Sequence, residues 1–384
     1  MKIAYLLGSL NRGGAETLLL DCLRRSHEAG FRAIVIHRKG GDLRPEFEAS
    51  GVPLHRCRPK CAFDFTYLLR LRRLFMREGI QVVHAQQPLD GLYARLACLC
   101  TAVKVVLTFH GYDMDYGRLA AFVTRMIIRH THMNIFVSQA QMNYYRKKYH
   151  LLDAAKLKVV YNGIDFEKFV NVEHLALRAE LHVDHDCLLL GSVGNFVAGR
   201  DPMTVCKFLS LLKKSSIHFK FVFTGAKSEK EPHCYDDCVN YCNKNGLREQ
   251  VFFLGSRRDV PNILDGLDAF IYASNSDTFG IAVIEAMAMA IPVFVNDWQV
   301  MSEITENGKW ATLYASKNEG DLLRQFVHFC AQPEAYRQKA WSAAVWVRNK
   351  FSIIKHIQDL SAAYEAVLGQ SGQQREHCLK KTGN

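Results

Sequence analysis

The sequence lacks any long apolar run. No stretch reaches the roughly eighteen uninterrupted apolar residues of a membrane-spanning helix, because Arg95, Lys104 and Glu285 break the richest candidates. The first apolar stretch, Lys2 to Leu7, is too short for the core of a signal peptide and leads into a glycine loop instead of a cleavage site. We therefore expect neither a membrane span nor an export signal.

Signatures of two function classes are also missing. No helix-turn-helix, zinc-finger or aromatic RNA-binding pattern is present, so we predict no nucleic acid partner. The first glycine loop lacks the Gly-x-Gly-x-x-Gly spacing that dinucleotide-binding folds use, which argues against a nicotinamide enzyme and leaves no cofactor predicted. Asp113-x-Asp115 and Asp184-x-Asp186 imitate a metal-binding motif without its usual context, so we predict no metal either.

The cysteines indicate a reducing compartment. The chain has 12 of them and no export signal, which favours free thiols and a cytoplasmic protein over a disulfide scaffold. Cys234, Cys238 and Cys242 recur at helical spacing after His233. Zinc sites prefer Cys-x2-Cys pairs on turns, so these cysteines are better explained as small core residues.

The positive charge lies entirely in the first half of the chain. The net charge is +11, and residues 1–167 contain 25 Lys and Arg against 14 Asp and Glu, so the remainder is balanced. Arginines alternate with apolar residues at helical spacing in two stretches, at Arg70, Arg72, Arg73 and Arg77 and at Arg118, Arg125 and Arg129. Such helices can bind an anionic membrane surface, which would place the protein peripherally on the inner face of the cell membrane. Ordinary solvated helix faces are the alternative.

The length and the alternation of patterns predict two α/β domains. A chain of 384 residues exceeds what a single hydrophobic core usually serves. Strand and helix patterns alternate twice, as expected of two doubly wound parallel sheets that face each other across a cleft. We place the first domain at 1–167, the second at 168–350, a final helix at 351–369 and a polar tail at 370–384. The predicted strands are Ile3–Leu7, Ala33–His37, Val82–Ala85, Val105–Phe109, Asn134–Val137, Lys158–Tyr161, Leu188–Val193, Phe219–Thr224, Val251–Leu254, Ala269–Tyr272 and Pro292–Val295.

Two carboxylates flank a glycine turn in the second half. Asp277 precedes Gly280, and Glu285 lies in the helix that begins after this glycine and stops near Pro292. Both acids can point into one pocket, where ionised carboxylates would accept hydrogen bonds from the vicinal hydroxyls of a sugar or a ribose. The alternative is one loop acid and one solvated helix acid.

Two glycine loops and a histidine supply further candidates. Gly13 and Gly14 lie between the first strand and its helix, where backbone N–H groups can approach an anion. The loop from Gly191 to Pro202 has the outline of a diphosphate cradle, because Arg200 follows its glycines and a helix begins at the proline. His110 follows a strand and would lie at the carboxyl end of that strand, where ligands of α/β sheets bind. A lone histidine is, however, more often structural. His84 is a weaker candidate of the same type.

These motifs, in this order, resemble the family 4 glycosyltransferases, which are retaining enzymes with the GT-B fold. The similarity covers residues 1–369 and includes Gly-Gly-Ala-Glu at 13–16, His-Gly at 110–111 and Glu-Ala-Met-Ala at 285–288. It implies a metal-independent hexosyltransferase that moves a sugar from a nucleoside diphosphate donor to a hydroxyl of a glycan or a lipid-linked acceptor. It also implies that the final helix crosses back to the first domain.

The resemblance assigns roles to individual residues. Arg200, Asp277 and His110 would be catalytic, with Arg200 on the departing diphosphate and the other two on the sugar. The implied donor-binding set is Gly13, Gly14, Asn195, Arg200, Gly280, Ile281 and Glu285, in which Glu285 binds the ribose.

The chain departs from the family pattern at several positions. Asp277 replaces a Glu, Asn195 replaces an Arg, and Ala290 stands where a Gly is usual. These changes keep two alternatives open, a sugar-nucleotide epimerase of similar fold and a non-catalytic sugar-nucleotide-binding protein.

Overall fold

The computed structural model describes residues 1–61, 64–114, 117–170, 172–173, 176–184 and 186–381, excepting the side chains of 27, 29 and 370–381. The chain forms two compact units. One combines Met1–Ile164 with the chain from Ile353 onward, and the other is Asp165–Ser352. The sequence placed the corresponding divisions at 167 and 350.

The first unit is built on a seven-stranded parallel sheet with the order β3-β2-β1-β4-β5-β6-β7. Its strands are β1 (Lys2–Leu7), β2 (Arg32–His37), β3 (Leu54–Arg56), β4 (Val82–Ala85), β5 (Lys104–Phe109), β6 (Met133–Phe136) and β7 (Leu157–Val159). The helices between them are α1 (Gly14–Arg24), α2 (Arg44–Ala49), α3 (Phe65–Arg77), α4 (Pro88–Ala97), α5 (Arg118–His130) and α6 (Gln139–Tyr149). The strand order reverses between β1 and β4, and ligands of open α/β sheets bind at such a switch.

The second unit repeats this plan on a six-stranded parallel sheet with the order β10-β9-β8-β11-β12-β13. Its strands are β8 (Leu188–Val193), β9 (Phe219–Thr224), β10 (Val251–Gly255), β11 (Ala269–Tyr272), β12 (Val293–Asn296) and β13 (Thr312–Tyr314). Its helices are α7 (Ala176–Glu180), α8 (Pro202–Leu212), α9 (His233–Lys244), α10 (Val260–Asp265), α11 (Ile281–Ala288), α12 (Gln299–Ile304), α13 (Glu319–Ala331) and α14 (Pro333–Lys350). The order reverses between β8 and β11.

These two sheets confirm the predicted α/β class with two Rossmann-like units, and all eleven predicted strands are present within two residues at each end. The sequence did not predict β3 and β13. Each has only three residues and pairs on one side, at the edge of its sheet, so neither has the continuous apolar pattern of a central strand. No helix in the described part of the chain is both long and apolar enough to cross a membrane.

The last helix, α15 (Ile353–Lys381), belongs to the first unit. Its predicted apolar face is buried in the core of that unit through Ile353, Ile357, Leu360, Ala363, Tyr364 and Val367. The Tyr364 hydroxyl lies 3.0 Å from the Tyr5 hydroxyl and 2.6 Å from Nδ1 of His84, so polar contacts also fix the helix to the sheet. The predicted polar tail at 370–384 falls on residues whose side chains, and beyond 381 whose backbone, lie outside the described part.

Helix α11 ends in a left-handed turn at Ala290, which has a φ of 57°. The N–H of Ile291 donates to the carbonyl of Ala286 and the N–H of Ala290 to that of Met287, at 3.3 and 3.1 Å, which is the Schellman pattern. Glycine is the residue that adopts this conformation without steric cost. Ala290, which stands where the family pattern has a Gly, is therefore a site of local backbone strain.

We predict that Ala290→Gly stabilises the protein by about 1 kcal/mol, because the left-handed conformation costs an L-residue about that much. Urea unfolding monitored by circular dichroism measures the difference. Ala288→Gly, within the helix, is the matched control and should destabilise by a similar amount. An Ala290→Gly protein less stable than the parent would contradict the assignment of strain.

Candidate active site

Two loops of the second unit meet where its strand order reverses. The loop after β8 contains Gly194 and Arg200, and the loop after β11 contains Ser274 and Asp277. The carbonyl of Gly199 accepts from the N–H of Asn275 at 3.0 Å, and Arg200 forms an isolated antiparallel bridge with Ser274. The backbone therefore fixes the two loops to each other.

Arg200 lies over an aromatic ring. Its guanidinium carbon is 4.8 Å from the ring centroid of Tyr272, within the range of a cation–π interaction, and Nη1 donates to the Val193 carbonyl at 3.3 Å. Gly194 has a φ of 156°, and a Cβ there would lie only 2.0 Å from Nη1 of Arg200. The guanidinium can occupy this position only because residue 194 has no side chain.

Asp277 lies beside the same tyrosine. The buried Tyr272 hydroxyl donates to Oδ2 of Asp277, and Oδ1 is 3.9 Å from Nη2 of Arg200. Burial raises the pKa of Tyr272, so this hydroxyl keeps its proton and remains a donor. The N–H of Asp277 donates to Oγ of Ser274 at 3.1 Å. Arg200 and Asp277, predicted separately, are thus brought together by one aromatic side chain.

A buried asparagine holds the loop that contains Asp277. Oδ1 of Asn296, at the end of β12, accepts from the N–H of Ser274 at 2.9 Å, and Nδ2 donates to the Ser274 carbonyl at 2.9 Å. Nε1 of Trp298 donates to the carbonyl of Asp277 at 3.1 Å. Because these bonds satisfy buried backbone groups, they fix the conformation of the loop.

The predicted donor-binding residues of α11 follow the same loop. Gly280 caps the helix with a φ of 82°, a left-handed conformation that favours glycine. Ile281 is the first helical residue. Glu285 is half-buried. Burial raises the pKa of Tyr272, the charge of Arg200 opposes this, and the charges of Asp277 and, to a smaller extent, Glu285 raise the pKa further. Both predicted acids therefore act on one side chain.

Asn195 contacts the backbone of the next loop. Its Oδ1 accepts from the N–H of Ala226 at 2.9 Å, and Asn195 as a whole is exposed. It also lines, with Gly194, Arg200 and Tyr272, a cavity of about 20 Å³. The sequence could not predict the contact to Ala226, because it depends on how the loops after β8 and β9 approach each other.

His110 of the first unit is paired with a glutamine. Nε2 of His110, after β5, donates to Oε1 of Gln86, after β4, at 2.8 Å. Burial, with a smaller effect of His356, lowers the pKa of His110 to about 4. The imidazole is therefore neutral at physiological pH, so it can hold a hydroxyl group but does not supply a positive charge.

His84 is a structural residue. It is buried, with Nδ1 bonded to the Tyr364 hydroxyl and Nε2 2.6 Å from Oγ1 of Thr108. Burial lowers its pKa to about 3. Both ring nitrogens of His84 form hydrogen bonds within the unit, so His84 anchors α15. These bonds do not support the prediction that His84 is a weaker candidate site residue.

A cavity of about 20 Å³ lies beside these histidines. His84, His110, His356 and Asn162 contribute to its lining. Nδ1 of His356, on α15, donates to the Tyr161 carbonyl at 2.6 Å, and Oδ1 of Asn162 is buried without a hydrogen-bond partner in the described part of the chain. The space is about that of one water molecule, which could satisfy the asparagine.

The first glycine loop lies at the β1/β4 switch of its own sheet. Gly13 is the N-cap of α1, and Gly14 is the first residue of that helix. A Cβ on Gly13 would lie 2.6 Å from Oε2 of Glu16, so this carboxylate folds back over the helix N-terminus. The anion-binding role of Gly13 and Gly14 stays a prediction.

Sequence reasoning missed the residues that position the candidates. Tyr272 and Gln86 stand at or just after strand ends, and Asn296 is the last residue of β12. The rule that ligand sites form at the carboxyl ends of parallel strands could have found all three. Within the described residues, no group of three or more His, Cys, Asp or Glu side chains could hold a metal ion.

Comparison with known families gives two consecutive matches. The model described as Glycosyltransferase Family 4 matches residues 12–168, and the model described as Glycosyl transferases group 1 matches residues 175–344. Together they cover most of both compact units.

Individual proteins extend the comparison. The chain is 23% identical over 334 residues to the O-antigen biosynthesis glycosyltransferase WclY of Escherichia coli, covering 84% of this chain and 87% of the relative. It is 24% identical over 255 residues to the E. coli UDP-Gal:alpha-D-GlcNAc-diphosphoundecaprenol alpha-1,3-galactosyltransferase, covering 61% and 62%. Among solved structures, Anabaena Alr3699/HepE in complex with UDP and glucose superimposes with a TM-score of 0.83 at 19% identity, covering 95% of this chain and 99% of that one.

The buried histidines predict a pH-dependent stability. The pKa is about 3 for His84 and about 4 for His110 and His356, against 6.5 in an unfolded chain. Their neutral state therefore contributes stability above pH 6.5 that is lost progressively as the pH falls towards 4. Lowering the pH from 7.5 to 5.5 should therefore reduce the unfolding free energy by about 1 kcal/mol for each of these histidines.

Urea titrations at several pH values measure this slope. His110→Gln should reduce the slope of unfolding free energy against pH by the equivalent of one bound proton. A stability that stays constant from pH 7.5 to 5.5 would show that these imidazoles are not neutral and buried.

Proposed function

The chain belongs to the family 4 glycosyltransferases of the GT-B fold, and we propose that it transfers a hexosyl group, with retention of configuration and without a metal, from a nucleoside diphosphate sugar to a hydroxyl of a glycan or lipid-linked acceptor. One observation carries the proposal: Arg200 lies on Tyr272 beside Asp277, at the β8/β11 switch.

The donor diphosphate is assigned to Arg200. A guanidinium binds phosphate oxygens bidentately, and the ring of Tyr272 holds this guanidinium in position. The N-terminus of α8, at Pro202, follows directly and adds the positive end of a helix dipole. In this chain Asn195 replaces a second cation, so charge neutralisation of the leaving group depends on Arg200 and on backbone N–H groups, including those at Gly280 and Ile281.

The two acids are assigned to hydroxyl groups. Glu285 binds the ribose and Asp277 a hydroxyl of the donor sugar, because ionised carboxylates accept O–H donors. The Tyr272 hydroxyl and the Ser274 side chain hold Asp277 in place. An Asp at this position is one methylene shorter than the Glu of the family pattern, and its anchoring to Tyr272 compensates by fixing its direction.

His110 is assigned to the sugar as a neutral hydrogen-bonding group. Gln86 fixes the ring by accepting from Nε2. Because burial keeps the pKa of this imidazole low, its contribution to catalysis is orientation rather than charge. Gly13 and Gly14 are proposed to lie near the donor phosphates and the acceptor.

The proposed reaction breaks the bond between the anomeric carbon and the diphosphate oxygen, and the electron pair leaves with the diphosphate. Arg200 stabilises the charge that develops there. The acceptor hydroxyl attacks the same face of the sugar and forms the new glycosidic bond. Its proton passes to the departing diphosphate oxygen, so no separate base is needed.

The relatives support a uridine donor and a membrane-associated acceptor. A solved neighbour was crystallised with UDP and glucose, and one relative is named for UDP-Gal and a diphosphoundecaprenol-linked sugar. We propose a UDP-hexose donor and a lipid-linked glycan acceptor, used at the inner face of the cell membrane by a cytoplasmic, peripheral protein.

The proposal is tested by incubating the purified protein with radiolabelled UDP-, GDP- and ADP-hexoses, with and without lipid or glycan extracts. Transfer of label to an acceptor is the expected result, and its anomeric configuration by NMR tests retention. Isomerisation of the donor without an acceptor would indicate an epimerase, and binding without turnover a non-catalytic protein. Either outcome would contradict the proposal.

We predict that Arg200→Ala lowers kcat about 100-fold, because losing one preorganised charge contact costs about 3 kcal/mol in the transition state. Gly194→Ala should give a similar loss while leaving Arg200 in the sequence, since the added methyl group displaces the guanidinium. Steady-state kinetics with a saturating donor measure both variants. Rates within a few-fold of the parent would remove Arg200 from the mechanism.

A further inference from the structure

The outer edge of the second sheet borders a pocket with a volume of about 450 Å³. This volume lies within the range of roughly 300–1,000 Å³ that is typical of small-molecule sites. Residues of β13, α13, α14 and the loop before β13 line the pocket, and the polar ones are Asn307, Thr312, Gln325, His328, Gln332 and Lys339. None of the described residues in this lining is an Asp or a Glu, so the walls have no negative charge.

Lys339, on α14, is a half-buried cation in the wall of this pocket. Its Nζ donates to the carbonyls of Gly308 and Ala311 at 2.7 and 2.8 Å, and an ammonium group has a third proton to donate. Within the described ranges of the chain, no carboxylate forms an ion pair with Lys339, and burial lowers its pKa. Because a half-buried charge is stabilised by a partner of opposite sign, the pocket favours an anionic ligand.

The edge strand β13 adds backbone groups to the pocket. The carbonyl of Tyr314 accepts from the N–H of Asp297 at 2.9 Å, so the backbone groups of Tyr314 face β12. Successive residues of a strand direct their N–H and C=O groups to opposite sides. The N–H and C=O of Leu313, which lines the pocket, therefore face the free edge, where they can bond to a ligand.

The loop before β13 has an unusual conformation. Glu306, Asn307 and Gly308 have φ values of 49°, 55° and 85°, which are three consecutive left-handed residues. L-residues adopt this conformation at a steric cost and usually one at a time. Nε1 of Trp310 donates to Oε2 of Glu306 at 2.9 Å, and Lys339 binds the Gly308 carbonyl, so both ends of the strained segment are fixed. The exposed Asn307 is thereby held in the wall of the pocket, and strain of this kind is typical of functional sites.

The remaining groups of the pocket match a sugar. The side-chain amides of Asn307 and Gln332 both donate and accept hydrogen bonds, and the hydroxyl groups of a hexose do the same. Leu313 and Tyr336 add apolar surface, on which the C–H groups of a pyranose ring can pack. A simple inorganic anion would leave both the amides and the apolar surface without a contact.

We propose that this pocket binds a hexose that has a carboxylate or a phosphate group, with the anionic group on Lys339 and the hydroxyl groups on the side-chain amides and on the edge of β13. The pocket shares no lining residue with the cavity beside Arg200. In the sheet, β11 and β12 separate β13 from β8, the strand before the loop that contains Arg200. The pocket is therefore distinct from the candidate active site, and its ligand does not rest on the proposed function.

Ligand-observed NMR titrations of the full-length protein test the proposal with four probes: glucuronate, glucose 6-phosphate, glucose and inorganic phosphate. At least one of the two charged sugars should bind about tenfold more tightly than glucose and than inorganic phosphate, because one hydrogen bond to a charged group accounts for roughly that factor. Which charged sugar binds identifies the anionic group that the pocket accepts.

Gln332→Glu is the main variant, because it places a carboxylate in the pocket and leaves the bonds of Lys339 intact. The side chain of Gln332 makes no capping hydrogen bond to α14, so the fold should tolerate the change. We expect the affinity for the charged sugar to fall about tenfold. Asn240→Asp, the matched change of an exposed amide on α9, should bind like the parent. Lys339→Met should also weaken binding about tenfold, and circular dichroism verifies that each variant is folded.

Any of four results would overturn the proposal: neither charged sugar binds, glucose or inorganic phosphate binds as tightly as the charged sugars, Gln332→Glu leaves the affinity unchanged, or Arg200→Ala abolishes the binding. The last result would assign the sugar to the candidate active site. Because the titrations contain no sugar nucleotide and no acceptor, their failure leaves the proposed transferase activity standing.

Discussion

Tyr272 joins the two charged side chains on which the candidate site depends. Its ring lies under the guanidinium of Arg200, and its hydroxyl donates to Asp277. Because the tyrosine is buried and the last residue of β11, it transmits the rigidity of the sheet to both groups. The sheet and the tyrosine therefore hold both groups in a fixed arrangement, and fixed charges stabilise a leaving group most effectively.

The fold was largely predictable because central strands of parallel sheets are buried on both faces. Their apolar sequences, such as residues 3–7 of β1, are distinctive, and the apolar residues of the helices between them recur at helical spacing. The edge strands β3 and β13 escaped prediction because only one neighbour pairs with them, so their sequences need no such pattern. The left-handed turn at Ala290 also escaped, since nothing about an alanine indicates a positive φ.

The sequence predicted the charged residues of the candidate site but not the residues that position them. Arg200, Asp277 and Glu285 were predicted because the glycine loop and the acid pair resemble motifs of the family, and their roles stay predictions. The positions of Tyr272, Gln86 and Asn296 at strand ends could have been predicted, but their partners depend on which strands are neighbours, and strand order is not written in local sequence. The same limit applied to helix α3, where only the structure shows that Arg70 pairs with Asp64 and Arg77 with Glu78.

The central claim is that Arg200, presented by Tyr272, binds the donor diphosphate. A crystal structure of the protein soaked with UDP tests it most directly. We predict phosphate oxygens within about 3 Å of the Arg200 guanidinium nitrogens, with the ribose hydroxyls on Glu285. A nucleotide bound elsewhere in the molecule, with Arg200 touching no phosphate, would contradict the account.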